Sequence, residues 1–413
     1  MTKIALLSLT TSTLLLAGGY KIPELSINSM ALSAAYVANA HGADAAYFNP
    51  ANMAFEAEGQ YIEGALTYIR LASIEYTGTA FNPDGTPNSS GAASKAENFL
   101  SPSLHYVSNR YDRFRFGLSV VAPAGLSKRW SMQPAKTYAH EFTLQVVEVN
   151  PSMAYRVSED FAVGAGVRIV HTSGVVKSAS IASRDMEGDT FDFGYNLALS
   201  YKATPELSLA ATYRSNVDLD VEGDAAIYFP DNGNYGGTKL FGKRIDAAVS
   251  IPNPAALNLA AAYRFDTGTT VEFVYERTFW STYESLDFDY EFSLGALDAK
   301  FSDPIAKAWN DVSAYRLGLT QEYDGWTGMA AIAYDETPIP EHTVNFELPD
   351  SDAIIVSVGG RYAYSDTLSL GTALLIDFKE SRTISGSVSD IGLDGKFTDA
   401  RAYLFTVGAE YKF

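Results

Sequence analysis

The residues best suited to hold a ligand in this chain are three arginines, Arg168, Arg214 and Arg316. Each falls on the inward parity of an alternating segment, roughly eight residues and about 26 Å of strand rise above a short turn. A guanidinium presents a rigid fork that grips a carboxylate through two parallel hydrogen bonds. Three of them at one height would anchor an anionic head group. The competing expectation is neutralisation by a lumen acid such as Glu322, or by groups of the N-terminal segment. Arg113 and Arg115, close to a chain reversal, are expected at the rim or against the N-terminal segment.

Other chemistry is sparse. The histidines His41, His105, His140, His171 and His342 have no ligand spacing, so no metal site is expected. Asp350-Ser351-Asp352 reads as a solvated loop. His105 and His171 fall near strand ends, but nothing marks a serine as a hydrolytic partner. With neither a phosphate loop nor a dinucleotide fingerprint, no cofactor is expected. The chain has no cysteine, which removes disulfides, thiolate metal sites and cysteine nucleophiles together. It also leaves Gly19 where a lipid-accepting cysteine would stand.

The elements that position the arginines alternate with a period of two, which sends one set of side chains to each face of a strand. Phe191, Phe193, Tyr195, Leu197, Leu199 and Tyr201 alternate with Asp192, Gly194, Asn196, Ala198 and Ser200. Phe114 to Ala122 and Leu257 to Phe265 repeat the pattern. The final stretch, Tyr403, Phe405, Val407, Ala409, Tyr411 and then Phe413, carries it to the end of the chain. A strand ending on an aromatic residue suits an outer-membrane barrel whose last strand closes on its first, and it is the kind of end read by the barrel-insertion machinery.

Short turns are expected near 109–112, 158–160, 204–206, 266–268, 324–325 and 365–366. Long loops are expected at about 78–97, 123–142, 172–190, 215–240, 280–310, 335–352 and 379–398. Six turns alternating with seven loops predict an all-β fold, a 14-stranded antiparallel transmembrane barrel over residues 59–413. The expected strands are 60–77, 98–109, 113–123, 141–157, 161–171, 190–202, 206–214, 241–265, 269–280, 311–323, 326–334, 353–364, 367–378 and 399–413. Pro252 and Pro254 interrupt the eighth and assign its upper part to loop.

Composition agrees. Aromatics make up 13% of the chain, with 26 Tyr and 23 Phe, as interfacial girdles require. A net charge of −19 argues against nucleic acid as a partner. Lys3, the run Ile4–Leu16 and Ala17-Gly18-Gly19 read as a signal peptide over 1–19, too short to span a bilayer as a helix. Residues 20–58 do not alternate and read as a compact plug in the lumen.

Within that plug, Gly19-Tyr20-Lys21-Ile22-Pro23-Glu24-Leu25-Ser26 and Ala43-Asp44-Ala45-Ala46-Tyr47-Phe48-Asn49-Pro50-Ala51-Asn52-Met53 resemble the hatch of the long-chain fatty acid transporter family (FadL/TodX type). Ala122-Pro123-Ala124-Gly125-Leu126, Tyr213-Arg214-Ser215, Thr337-Pro338-Ile339-Pro340 and Leu348-Pro349-Asp350 extend the resemblance, in order, over nearly the whole mature chain. The chain departs from the usual wording at Asn52, where a glycine often stands.

The resemblance implies a monomer in the bacterial outer membrane, surrounded by lipid and lipopolysaccharide, and a non-enzymatic uptake route for a hydrophobic small molecule, either a fatty acid or an aromatic hydrocarbon. It implies capture among outer loops, a pocket near the hatch, and exit through a gap at a kinked third strand, here 113–123. Asn49, Pro50 and Ala51 would face that kink as the gate. An aqueous diffusion porin and a barrel lipid hydrolase are the alternatives.

Overall fold

The computed structural model describes residues 18–180, 182–229 and 239–413. The expected signal peptide, except for its last two residues, lies outside them. Fourteen antiparallel strands form the wall: β1 (Tyr61–Leu71), β2 (Glu97–Val107), β3 (Phe114–Arg129), β4 (Glu141–Arg156), β5 (Phe161–Ala179), β6 (Ser183–Lys202), β7 (Leu207–Arg214, resumed as Val217–Tyr228), β8 (Ile245–Asn253, resumed as Ala256–Arg264), β9 (Thr269–Thr278), β10 (Val312–Tyr323), β11 (Trp326–Asp335), β12 (Ala353–Ala363), β13 (Leu368–Lys379) and β14 (Arg401–Lys412). β1 pairs with β2 on one side and with β14 on the other, from Tyr61↔Lys412 to Leu71↔Ala402, and closes the cylinder. Closure leaves the sheet without an open edge strand, as a bilayer requires.

Alternation determines what faces lipid. Along β1 buried and exposed residues alternate without a break. Large apolar side chains stand exposed all around the wall, Leu317, Ile332, Val358 and Phe405 among them. An exposed apolar belt of this extent is stable only against hydrocarbon. At the short-turn end Trp326 and Tyr362 rings lie 4.5 Å apart and Tyr411 stacks on Phe413 at 5.6 Å, as an interfacial girdle requires.

The strand count and the short turns match the sequence expectation, but several long loops are shorter than expected. β3 runs on to Arg129, β5 to Ala179, β6 starts at Ser183, and β7 resumes to Tyr228. The upper part of the eighth strand, expected as loop, is the paired segment Ile245–Asn253; the break falls at Pro254 and Ala255. The reason is environmental. Above the hydrocarbon band the outer face of a strand meets water, so Arg184-Asp185-Met186-Glu187-Gly188-Asp189 remains a strand without an apolar face to reveal it.

Residues 18–58 fill the lumen. A short helix α1 (Ile27–Ala31) starts at Ser26, whose hydroxyl accepts from the N–H of Ser29, and Ser29 returns a bond to the N–H of Ser26. A second, α2 (Ala45–Phe48), leads into a 3-10 turn, Pro50–Phe55, with proline at its first position and Asn49 accepting from the N–H of Ala51 at 3.1 Å. Glu272 of β9 accepts from three successive N–H groups, those of Val37, Ala38 and Asn39, at 2.7, 2.6 and 3.2 Å. Ser33 and Ser357 of β12 are 2.8 Å apart. Arg115 donates to the carbonyls of Glu56 and Ala57 at 2.9 and 3.0 Å, so it clamps the far end of the segment.

Candidate functional site

Beside this segment the ladder of the wall is interrupted between β2 and β3. β2 and β3 pair only through four residues, from Val107↔Gly117 to Leu104↔Val120. Above them β3 carries one residue more than β4, with a register shift between Val121 and Ala124. Pro123 sits in the bulge and has no N–H to offer a ladder. The β2 stretch from 97 to 103 therefore has no ladder partner on this side. Higher up the strands are rejoined: the Lys95 N–H donates to the Arg129 carbonyl at 2.9 Å and the Ser127 hydroxyl donates to Glu97 at 2.7 Å.

The N-terminal segment takes the missing strand's place. The Ile22 N–H donates to the Pro123 carbonyl at 2.8 Å, the Gly125 N–H donates to the Tyr20 carbonyl at 2.9 Å, and Lys21 faces Ala124. Below the opening His105 of β2 faces Ser119 of β3 at 3.0 Å through Nδ1, and its Nε2 lies 3.0 Å from the Leu25 carbonyl. Both side chains are fully buried. Sequence reasoning found no serine for this histidine, because the two meet by cross-strand register. The pair ties the wall to the N-terminal segment.

A cavity of about 80 Å³ lies between the segment and the wall, touched by Lys21, Pro50, Pro123, Arg168, Arg214 and Asn253. The expected gate residues are thus split. Pro50 lines the cavity with Pro123 of the bulge, while Ala51 lies against β5, where a Cβ on Gly164 would come within 2.5 Å of the Ala51 nitrogen. Asn49 and Asn52 turn inward on the segment itself. Asn52 donates to the carbonyls of Val37, Ala38 and Ala40 at 3.3, 3.1 and 2.8 Å, and Asn49 donates to that of Val37 at 2.9 Å. The departure from glycine at position 52 therefore supplies a clamp that folds the segment on itself.

All three expected arginines point inward and each meets an acid. Arg168 Nε is 3.0 Å from Glu148 Oε2, Arg214 pairs with Glu148 Oε1, and the Arg214 guanidinium lies 4.1 Å over the Tyr47 ring. Arg316 is apart from them, 3.2 Å from Asp335 and 3.5 Å from Glu276. Lys21 reaches the same Glu276 at 3.0 Å. Glu322, named as a partner from sequence, instead pairs with Arg264 at the exposed rim. One carboxylate, Glu148, serves both Arg168 and Arg214, which leaves one positive charge over beside the cavity. The amide nitrogen of Asn253, 4% exposed, meets no hydrogen-bond acceptor among the described residues.

Above the lumen the outer loops enclose a larger chamber of about 480 Å³. Its apolar lining comes from Tyr138, Phe142, Val176, Phe288, Phe301 and Val344.

A closed 14-strand antiparallel barrel with an exposed apolar belt and an occupied lumen defines an outer-membrane barrel protein. The chain belongs to the outer membrane protein transport protein family (OMPP1/FadL/TodX), which it matches over residues 8–413, a family of transporters rather than enzymes. It is 25% identical to the long-chain fatty acid transport protein of Escherichia coli, over 97% of this chain and 96% of that one. It is 24% identical to outer membrane protein P1 of Haemophilus influenzae, over 98% of each. In fold it resembles a Pseudomonas aeruginosa FadL homologue (TM-score 0.84, 22% identity, 96% of this chain and 100% of that one) and the Pseudomonas putida toluene transporter TodX (TM-score 0.69, 17% identity, 94% and 98%). The protein is therefore an outer-membrane transporter of hydrophobic compounds.

Proposed function

We propose that the protein takes up long-chain fatty acids by passive passage from the outer chamber to the cavity beside residues 20–58, and from there sideways into the membrane between β2 and β3. The observation that carries the route is the exchange of partners at β3. Its backbone bonds to Tyr20 and Ile22 where a strand of the wall should be. A seal made by a separable segment opens when that segment shifts, and the barrel's own ladders stay intact. The surplus positive charge shared by Arg168 and Arg214 and the Asn253 amide, unpartnered among the described residues, suit a carboxylate head, and the long-chain fatty acid transport of the E. coli relative agrees. Ligand pockets typically enclose about 300–1,000 Å³. The 80 Å³ cavity thus requires Lys21, Ile22 and Pro23 to move when a chain enters, and the same movement unseals the exit. Asn49, Pro50 and Ala51 act as the fixed side of that gate.

Identification of the ligand that copurifies with the barrel tests the cargo; a bound aromatic hydrocarbon and no fatty acid would overturn it. Single-channel recording tests the route. A closed or flickering trace is expected, whereas a large steady current would assign the protein to the diffusion porins.

A further inference from the structure

We infer that Arg184, at the top of β6, is the residue by which the outer chamber selects amphiphiles with an anionic head over neutral hydrocarbons. This rests on the transport reading above.

Arg184 is 6% exposed and lines the 480 Å³ chamber. Its guanidinium lies 3.8 Å over the Phe288 ring and 5.5 Å from the Phe301 ring, and one Nη donates to the Tyr290 hydroxyl at 3.1 Å. Nε has no hydrogen-bond partner, and no carboxylate is within ion-pair distance among the described residues. Every other deeply buried arginine named above has an acid or a set of carbonyls. Burying a guanidinium without an anion is costly, and stacking on rings returns only part of that cost.

The other charges around the chamber do not neutralise it. Glu347 is engaged by Lys307. Asp303 and Asp390 line the chamber from exposed positions on the loops. Lys300, on the exposed loop, adds a second cation, and its ammonium pKa is lowered by desolvation and then by the Arg184 charge. A chamber of ligand size that sets aromatic and aliphatic side chains around an unpaired buried cation suits a carboxylate or similar anionic head on a hydrocarbon body. A purely apolar guest would leave the guanidinium as costly as before.

The test compares oleate with oleyl alcohol on the full-length purified barrel, with Arg184→Met and Arg184→Lys. Folding is checked by the heat-dependent shift in gel mobility. Arg184→Met should weaken oleate binding by about ten- to a hundredfold, the equivalent of one charge-assisted hydrogen bond, and leave oleyl alcohol unchanged; Arg184→Lys should recover part of the loss. Tyr290→Glu provides an independent route, because it places an internal carboxylate beside an unaltered Arg184 and should weaken oleate alone. Oleate affinity unchanged in Arg184→Met, or an equal loss for oleate and the alcohol, overturns the inference. Uptake is scored separately: wild-type protein that binds oleate at Arg184 yet fails to take it up defeats the transport reading and not this one.

Discussion

Between β2 and β3 the ladder stops above Leu104↔Val120; between β6 and β7 it stops above Asn196↔Arg214 and resumes at Asp189↔Glu222. Both interruptions leave strand backbone without its neighbour, and in a bilayer such groups need another partner. The partners differ in kind. At β3 they come from Tyr20 and Ile22, a segment that reaches the wall from the lumen. At β7 they come from the strand itself and its neighbours. The Ser215 N–H donates to the Tyr195 carbonyl, the Ser215 hydroxyl accepts from the Tyr195 N–H at 2.9 Å, and Arg168 donates to the Ser215 carbonyl. Beyond the break β7 stays paired with β8 from Val217↔Asn253 onward. On the route proposed above, the first breach is the gate and the second only a bend in the wall.

Removal of residues 20–52 should produce the largest effect, because it takes away both the lumen filling and the seal at β3. The barrel should become permeable to small solutes in a liposome-swelling assay, and a barrel that stays impermeable would contradict the plug. A finer separation uses the absence of cysteine. Lys21 and Ala124 face each other as an antiparallel pair not directly hydrogen-bonded to one another, a geometry within disulfide reach. Lys21→Cys with Ala124→Cys should stop fatty-acid uptake when oxidised and restore it on reduction. Gly194→Cys with Val217→Cys, where a Cβ at 194 would lie 2.6 Å from Val217 Cγ2, should leave uptake unchanged in either state. Equal loss in both would remove the distinction.

How much of this was legible in the sequence follows from where each signal arises. The strand count was readable because lipid forces one apolar face on every strand within the bilayer, as from Phe191 to Tyr201. The extensions of β5 and β6 were not, since Arg184 to Asp189 has water on its outer face. Arg168, Arg214 and Arg316 were correctly placed inward by parity alone. Their acids were not named, because Glu148, Glu276 and Asp335 meet them across strands far apart in the sequence. The same limit hid Arg184, which looks like any loop-side arginine until the Phe288 and Phe301 rings and the missing carboxylate are seen together. Pro123 falls within a stretch of family resemblance, but the exchange of β3 pairing onto Tyr20 and Ile22 needs three dimensions.

Arg316 sharpens the comparison through stability. It donates to the Ser33 carbonyl at 3.2 Å and is ringed by Asp335, Glu276 and Glu24. Arg316→Met leaves those acids buried without their cation, which should cost about 3–5 kcal/mol. The loss should appear as a lower urea midpoint for unfolding in lipid, together with some solute leakage as the plug loosens. A variant with an unchanged midpoint would mean that the acids find other partners.

The smallest effects should come from adding one methyl group at each place. Gly164→Ala pushes a Cβ to 2.5 Å from the Ala51 nitrogen, and Gly194→Ala pushes one to 2.7 Å from the Ser215 hydroxyl. Each overpacking should cost about 1–3 kcal/mol of stability. Their consequences for transport should part, because Ala51 belongs to the fixed side of the proposed gate and Ser215 to the wall away from it. Gly164→Ala shifts the Asn49-Pro50-Ala51 seat and should change the uptake rate, upward if the plug is loosened and downward if it is wedged. Gly194→Ala should alter the unfolding midpoint alone. Parallel changes in uptake for the two variants would show that wall strain reaches the cavity from either side, and the bend at β7 would then have to be counted as part of the gate.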